Sequence, residues 1–347
     1  MTAIDFSPLD KQVALAGLMK RNYSYYIYMG AFLFWSFTLS MFLITLWDNI
    51  WLVLANTLLL GFLRLQWALL GHDFAHLQVF KWQKKNRFFA SLVWGTTCWA
   101  SGTWWEHQHN THHKNTNQVW KDPDVEIPFA FDEKLITGKS FFYRKLFLPY
   151  QHLFLFPWLP TTFITGWYSS TRWIVKNFSI KTSLESLLII ASISWMVFLS
   201  FYYLSLTNAL IFLLWNLVVS GIYMGILFFP NHYGETVIDA EKRYERLYQV
   251  ITSRNISGKA ITDFLFWGLN LQIEHHLYPT MPRANLPKVK KMVREFCKSQ
   301  KVTYHEVNIL VAFMEMFLAL RKVARRSTTP QIASMEVPSI EILTKEI

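Results

Sequence analysis

Ile50-Trp-Leu-Val-Leu-Ala-Asn-Thr-Leu-Leu-Leu-Gly-Phe-Leu-Arg-Leu-Gln-Trp-Ala-Leu-Leu70, followed at once by Gly71-His-Asp-Phe-Ala-His76, joins a membrane-length apolar run to two imidazoles four residues apart. About twenty apolar residues cross a hydrocarbon core as a helix. At about 100° per residue, His72 and His76 then share one face at the end of that helix. The same length of apolar sequence recurs at Ile27 to Trp47, separated from Ile50 only by Asp48-Asn49. Ser186 to Leu206 and Ala209 to Phe229 repeat the arrangement around Thr207-Asn208. The fold predicted is an all-α membrane protein: four transmembrane helices at 27–47, 50–70, 186–206 and 209–229, paired as two hairpins, with in-plane helices and a cytosolic helical cap.

Composition agrees. Of 347 residues, 52% are hydrophobic and 16% charged, with 16 Trp and 15 Tyr suited to interfacial belts. The segments between and after the hairpins, 71–185 and 230–325, carry nearly all the Lys and Arg, so the positive-inside rule places them and both termini on the cytoplasmic face. That face would belong to a bacterial inner membrane or, in a eukaryote, to the endoplasmic reticulum. Residues 1–325 read as one domain, and 326–347 as a polar, Pro-interrupted tail expected to be disordered. Met1 to Asn22 lacks the apolar core of a signal peptide; Ser7-Pro-Leu-Asp10 reads as the capped start of a short amphipathic helix. Cys98 and Cys297 form no disulfide framework and no metal spacing.

Two more apolar stretches need placing. Phe88 to Trp105 is long enough to cross, but crossing would put the first two histidine clusters on opposite sides of the membrane. It is therefore expected to be a re-entrant or in-plane helix. Leu153 to Ser169, broken by Pro157 and Pro160, is expected to lie along the interface. Arg64, inside the second apolar run, is expected to snorkel toward the interface, with pairing to a buried polar group as the alternative.

The histidines carry the chemistry. Seven of 11 lie in three short stretches: His72 and His76; His109-Asn-Thr-His112-His113; and Gln272-Ile-Glu-His275-His276. On a helix the second and third clusters each fall within an arc of about 100°. A single i,i+4 pair arises by chance on solvated helices; three such clamps point to metal. With the predicted topology all three converge on one side, joined by Asn231-His232 just beyond the last span. Eight neutral imidazoles can hold two transition-metal ions and leave positions open for oxygen. The lack of Cys or carboxylate-rich ligand sets argues against structural zinc and against a carboxylate di-iron bundle. Asp73, Glu106, Asp122, Asp124 and Glu274 are candidates to orient imidazoles through the second ring nitrogen. His107 lies about 200° from His109, off the ligand face. His152 and His305 are isolated and not expected to bind metal.

The order His-x-x-x-His, His-x-x-His-His, Gln-x-x-His-His resembles the membrane fatty acid desaturases. Gly71-His-Asp-Phe-Ala-His76, Trp104-Trp-Glu-His-Gln-His-Asn-Thr-His-His113, Lys121-Asp-Pro-Asp124 and Gln272-Ile-Glu-His-His-Leu-Tyr-Pro-Thr-Met-Pro-Arg283 carry the likeness, which runs from about the first span to Arg325. Gln272 in place of His resembles the front-end subgroup, which inserts a double bond between an existing one and the carboxyl end. The resemblance implies a di-iron centre held by His72, His76, His109, His112, His113, His232, His275 and His276. Gln272 would sit in or just outside that ligand set, with Asn231, His107, Asp73, Glu106 and Glu274 as further outer residues. Many front-end enzymes carry a fused cytochrome b5 domain with a His-Pro-Gly-Gly motif; that motif is missing from this sequence. Electrons are then expected from a separate ferredoxin or cytochrome b5 with its reductase.

The implied reaction is O2-dependent removal of two hydrogens from adjacent methylenes of a lipid-linked or CoA-linked acyl chain, giving a cis double bond. Methylenes have no acidic proton, so side-chain acid–base chemistry cannot begin it and a metal cofactor is needed. The Phe/Trp-rich stretches 88–105 and 264–269 are candidates to line an acyl tunnel. A hydroxylase or other lipid oxygenase on the same scaffold is the near alternative, and a membrane zinc hydrolase or lipid-binding protein the distant one. The net charge of +11 includes basic patches at Lys84, Lys85 and Arg87 and at Lys288, Lys290, Lys291 and Arg294. They suit an acidic electron carrier or anionic headgroups. No nucleic-acid module is present.

Overall fold

The computed structural model describes residues 4–125, 127–242, 245–258 and 260–327. The chain is predominantly helical. A short amphipathic helix α1 (Ser7–Leu15) precedes α2 (Tyr23–Leu43) and α3 (Ile50–Ala75), the first hairpin. Asp5 Oδ1, rather than Ser7, accepts the first backbone N–H of α1. The second hairpin is α8 (Ile180–Tyr203) and α9 (Leu206–Phe228). Among the described residues these four are long and apolar enough to span a membrane.

Local capping fixes where three of the four begin. Asn22 accepts from Tyr25 N, and Asn49 from Trp51 N and Leu52 N. Ser179 and Thr182 form a reciprocal capping box that starts α8 six residues before the apolar run. The first helix accordingly begins four residues earlier than hydropathy suggests and ends at Leu43. The two hairpin tips lie together: Asn208 Nδ2 donates to Asp48 O (2.9 Å) and Oδ1 (2.6 Å). Tying the tips at one end leaves the far ends of α3 and α9 free to deliver His72, His76 and His232 to the other. Close contact between α3 and α9 is permitted by Gly61, where a Cβ would come within 2.5 Å of Val219 Cγ1.

Phe88 to Trp105 is not one helix. It divides into α4 (Gln83–Val93), a π-helical turn (Trp94–Cys98) and the start of α5 (Gly102–Asn115). Trp99 adopts a left-handed backbone (φ 55°), and Ser101 caps α5 through Trp104 N. Beyond the turn α5 packs back against α4, with Gly102 against Ser91 and Trp105 stacked on Trp94 at 4.6 Å. Neither half is long enough to cross alone. The prolines break Leu153 to Ser169 as expected, into α6 (Gln151–Trp158) and α7 (Thr162–Lys176).

The remaining segments form the cap: α10 (Tyr248–Ile251), α11 (Ala260–Leu265), α12 (Gln272–Leu277), α13 (Leu286–Ser299) and α14 (Ile309–Ser327). Two three-residue strands, Asn255–Ser257 and Glu306–Asn308, pair in parallel, a small β element that helical periodicity gave no sign of. One apolar cluster of the cap packs α1 against α12 and α13; another packs α14 against residues 119–136 and 148–155. Most of the expected disordered tail, residues 328–347, lies outside the described residues.

Arg64 does not snorkel. It is 2% exposed, with its guanidinium 4.2 Å over the Trp99 ring and 5.2 Å from that of Phe163. The aromatic turn between α4 and α5 closes over it, so the side chain is held within the bundle by cation–π contact instead of reaching a headgroup.

Candidate metal centre

All eight histidines singled out for metal are buried in one cluster at the end of the bundle opposite the hairpin tips. They sort into two groups whose ligand atoms lie within 4.8 Å of one another: His72, His76, His109, His113 and His275, and then His112, His232 and His276. Helix α3 supplies His72, and His76 is its C-cap; α5 supplies 109, 112 and 113; α12 supplies 275 and 276. On α5 the i,i+4 pair 109/113 faces the larger group, and His112, turned aside, faces the smaller. His113 and His276 stack at 4.1 Å and join the two.

In the larger group the Nε2 atoms converge. His109 Nε2 lies 3.1 Å from that of His72, 2.8 Å from His76 and 3.0 Å from His113; His275 and His113 approach to 3.1 Å. Neutral imidazoles turning several Nε2 atoms toward one point cannot all satisfy each other with one N–H apiece. Nitrogens about 3 Å apart are what a central ion with metal–nitrogen bonds of about 2.1 Å requires. His276 Nε2 in the smaller group is buried and partnerless among the described residues, as ligation there would require. The donor set, all imidazole, fits iron or another borderline transition metal.

Four of the outward ring nitrogens have partners behind them, whereas those of His113 and His275 are buried without one among the described residues. His72 Nδ1 faces Asp73 at 3.3 Å; His112 Nδ1 lies 2.9 and 3.0 Å from the two Asp122 oxygens; His232 Nδ1 faces Thr252 O at 3.0 Å; and His276 Nδ1 faces Gln249 Oε1 at 2.7 Å. Donation through Nδ1–H at His112, His232 and His276 leaves Nε2 as the lone-pair site, the tautomer a metal needs; at His72 the nearer neighbour of Nδ1 is the Arg283 guanidinium, with Nη2 2.8 Å away. Arg283 Nε bridges both Asp73 oxygens (2.8 and 2.9 Å), so a buried ion pair, both of whose members touch the His72 ring, braces it from behind. Trp105 stacks on His109 at 4.2 Å.

Burial holds His109, His113, His232, His275 and His276 well below the ordinary imidazole pKa, and His76 near 3. They are neutral and ready for metal at physiological pH. His112 differs: burial opposes its protonation, but the carboxylates of Asp122 and Asp124 outweigh burial and raise it to about 9. Burial beside Asp122 pushes Asp124 up to about 6, against the pull of His112. Metal arriving at His112 must displace a proton.

The other sequence candidates divide. Gln272 Nε2 lies 2.9 Å from His232 Nε2, so its amide closes the three-imidazole group, and Asn231 Nδ2 donates to Leu227 O beside it. Glu274 is buried, but Tyr304 and Asn255 take its carboxylate at 2.7 Å each; it anchors α12 to the short sheet and touches no imidazole. Glu106 pairs with Arg87 Nε at 2.8 Å near the surface, and His107 is exposed beside Trp173. Neither reaches a metal-facing imidazole: Glu106 is drawn to Arg87, and His107 projects from the side of α5 away from His109. His305 pairs with Glu235 and Glu315, and His152 packs on Phe317. Sequence reasoning missed Arg283 (though it ends a quoted motif), Gln249 and Thr252. A small cavity meets both imidazole groups, lined by His72, His109, His112 and His232 with Phe228 and Tyr233.

Comparison with known proteins agrees with this arrangement. Residues 49–308 match the fatty acid desaturase family. The chain is 30% identical over 285 residues to the acyl-lipid (9-3)-desaturase of Physcomitrium patens, covering 78% of this chain and 53% of the relative. It is 28% identical over 318 residues to the Delta(6)-fatty-acid desaturase of Caenorhabditis elegans (86% and 70%), and 29% over 336 residues to the Delta(8)-fatty-acid desaturase of Euglena gracilis (90% and 78%). The chain spans about half the length of the moss relative. With the match extending over most of its length and enclosing every buried imidazole of the cluster, the chain belongs to the fatty acid desaturase family.

Proposed function

We propose that this chain is an O2-dependent fatty acyl desaturase that introduces a cis double bond into a lipid-linked or CoA-linked acyl chain, with front-end regiochemistry. The observation that carries the proposal is the gathering of eight buried imidazoles into a group of five and a group of three around one cavity. His72, His76, His109, His113 and His275 would hold one iron, and His112, His232 and His276, beside the Gln272 amide, the other. When bound, the iron pair supplies the oxidising power that breaks two unactivated C–H bonds.

The overall reaction takes O2, two electrons, two protons and two substrate hydrogens to two waters. The electrons come from a ferredoxin or cytochrome b5, a one-electron protein carrier reaching the cytoplasmic face. The chain's own residues do the rest. Asp122, Thr252 and Gln249 hold their imidazoles in one tautomer and orientation, Asp73 with Arg283 braces His72, and Phe228, Tyr233 and Leu269 give the cavity an apolar side where a methylene can lie dry. Names of the relatives, all desaturases acting at defined acyl positions, support the substrate class.

The test is heterologous expression with defined unsaturated fatty acids supplied, followed by mass spectrometry and double-bond localisation. A product lighter by two hydrogens supports the reading; one heavier by an oxygen makes the chain a hydroxylase. His112→Ala and His276→Ala should abolish product while the protein still inserts, and full activity in either would overturn the ligand assignment.

A further inference from the structure

Away from the metal centre, α4 and the first turns of α8 flank an open groove of about 400 Å³. Its rim carries Lys84, Arg87 and Lys181; its floor is Phe88, Leu92, Leu184 and Leu188. We propose that this groove binds one anionic phospholipid, with the phosphate between Lys84, Arg87 and Lys181 and an acyl chain along Phe88, Leu92 and Leu184.

Charge argues for an anion. Lys84 and Lys181 are exposed and form no ion pair among the described residues. Arg87 lends Nε to Glu106 at the groove's edge. The one acid inside the groove does not neutralise the rim. Glu185 is 4% exposed and turned inward, where Ser91 Oγ (2.6 Å), Thr103 Oγ1 (2.8 Å), Thr103 N (3.2 Å) and Ser101 Oγ donate to it. That acid instead ties α8 to α4 and α5, and so holds the two walls apart at a fixed width.

Depth argues for a lipid. Lys181 lies in the first turn of a membrane-spanning helix, and Leu184 and Leu188 follow on the same face one and two turns deeper. Phe88 and Leu184 are 64% and 62% exposed, a hydrocarbon-facing surface directly below unpaired cations. An acidic electron carrier could meet the rim but could not follow the floor below the headgroup level. Only an amphiphile matches both halves. The inference is independent of the chemistry at the imidazoles.

The test uses the full chain in detergent, titrated with phosphatidylglycerol or phosphatidylcholine and read by native mass spectrometry. Phosphatidylglycerol should bind about tenfold more tightly. Lys84→Gln with Lys181→Gln should erase that preference; Leu184→Trp, which blocks the floor from an exposed position, should weaken both lipids. Lys288→Gln with Lys291→Gln, on the other basic patch, should change neither. Equal affinity for the two lipids, or unchanged binding in Leu184→Trp, overturns the proposal. So does inorganic phosphate competing as well as the lipid, or an acidic carrier protein losing affinity in the double variant while the lipid does not. Unchanged thermal melting in each variant excludes misfolding as the cause.

Discussion

Asp122 places both carboxylate oxygens at the back of His112, 2.9 and 3.0 Å from Nδ1, and accepts the Asn117 backbone N–H at 2.7 Å. That second bond locks the carboxylate to the end of α5. Asp122 therefore both aims His112 Nε2 at His232 and His276 and makes its imidazole more basic. Asp122→Asn keeps the shape and loses the charge. Metal affinity of the three-imidazole group should fall by about 10- to 100-fold, and bound iron should drop from about two toward one per chain. Iron analysis of purified protein checks this; a full complement of iron with full activity would show that His112 needs no such support.

Arg283 and Asp73 form a buried ion pair, 2% and 0% exposed, behind His72. Removing one partner strands a charge in a dry site, at a cost of about 3–5 kcal/mol. Arg283→Met should thus lower the melting temperature sharply. Asp73→Asn in the same chain should restore much of it, because no charge is then left alone. Activity should not return with stability, since His72 has lost its anchor. Additive losses in the double variant would mean that the pair is not coupled.

Metal-free protein should be acid-sensitive. In the unfolded chain imidazoles take up protons near pH 6.5, whereas burial keeps His76, His109, His113, His275 and His276 neutral in the folded one. The unfolded state binds more protons below about pH 6.5, so these five groups withdraw stability as pH falls through that value. His112, raised to about 9, acts oppositely: its contribution is complete below about 6.5 and is lost as pH rises through 9. Five outweigh one. Chelator-treated protein should melt at lower temperature at about pH 5.5 than at 7.5; equal or higher melting at the lower pH would show that the imidazoles are hydrated.

Much of this centre is written in the sequence because helix spacing is local. His109 and His113 share a face at i,i+4 whatever surrounds them, and an apolar run announces its own length. His232, without a spacing partner, is legible only through its place just beyond a span. What holds the imidazoles from behind is non-local: Arg283 meets Asp73 across 210 positions, Gln249 meets His276 across 27, and Thr252 contributes only a backbone carbonyl. No pattern along the chain reports such contacts. Glu106 and Glu274 show the converse, since nearness in sequence to a ligand does not decide which way a side chain points. The split of 88–105 into two helices turned on a left-handed tryptophan, a conformation that residue type does not foretell.

Arg64 is where propensity misled most, and where a substitution is most informative. Its Nε and Nη1 are buried without acceptors among the described residues, and Nη2 has only Met196 Sδ at 3.2 Å. Stacking on Trp99 offsets part of the desolvation, at about 2 kcal/mol for a buried cation–π contact. Desolvating a charge costs several kcal/mol, so a methionine of similar length should be neutral or stabilising. Lysine should be worse than either, because its compact ammonium hydrates strongly and cannot lie flat on the indole. Melting temperatures should therefore rank Arg64→Met at or above the natural chain, and Arg64→Lys below it. If Arg64→Met melts well below the natural chain, the guanidinium has an acceptor within the membrane that outweighs its desolvation. Retained stability with lost activity would instead place that charge in the service of the reaction.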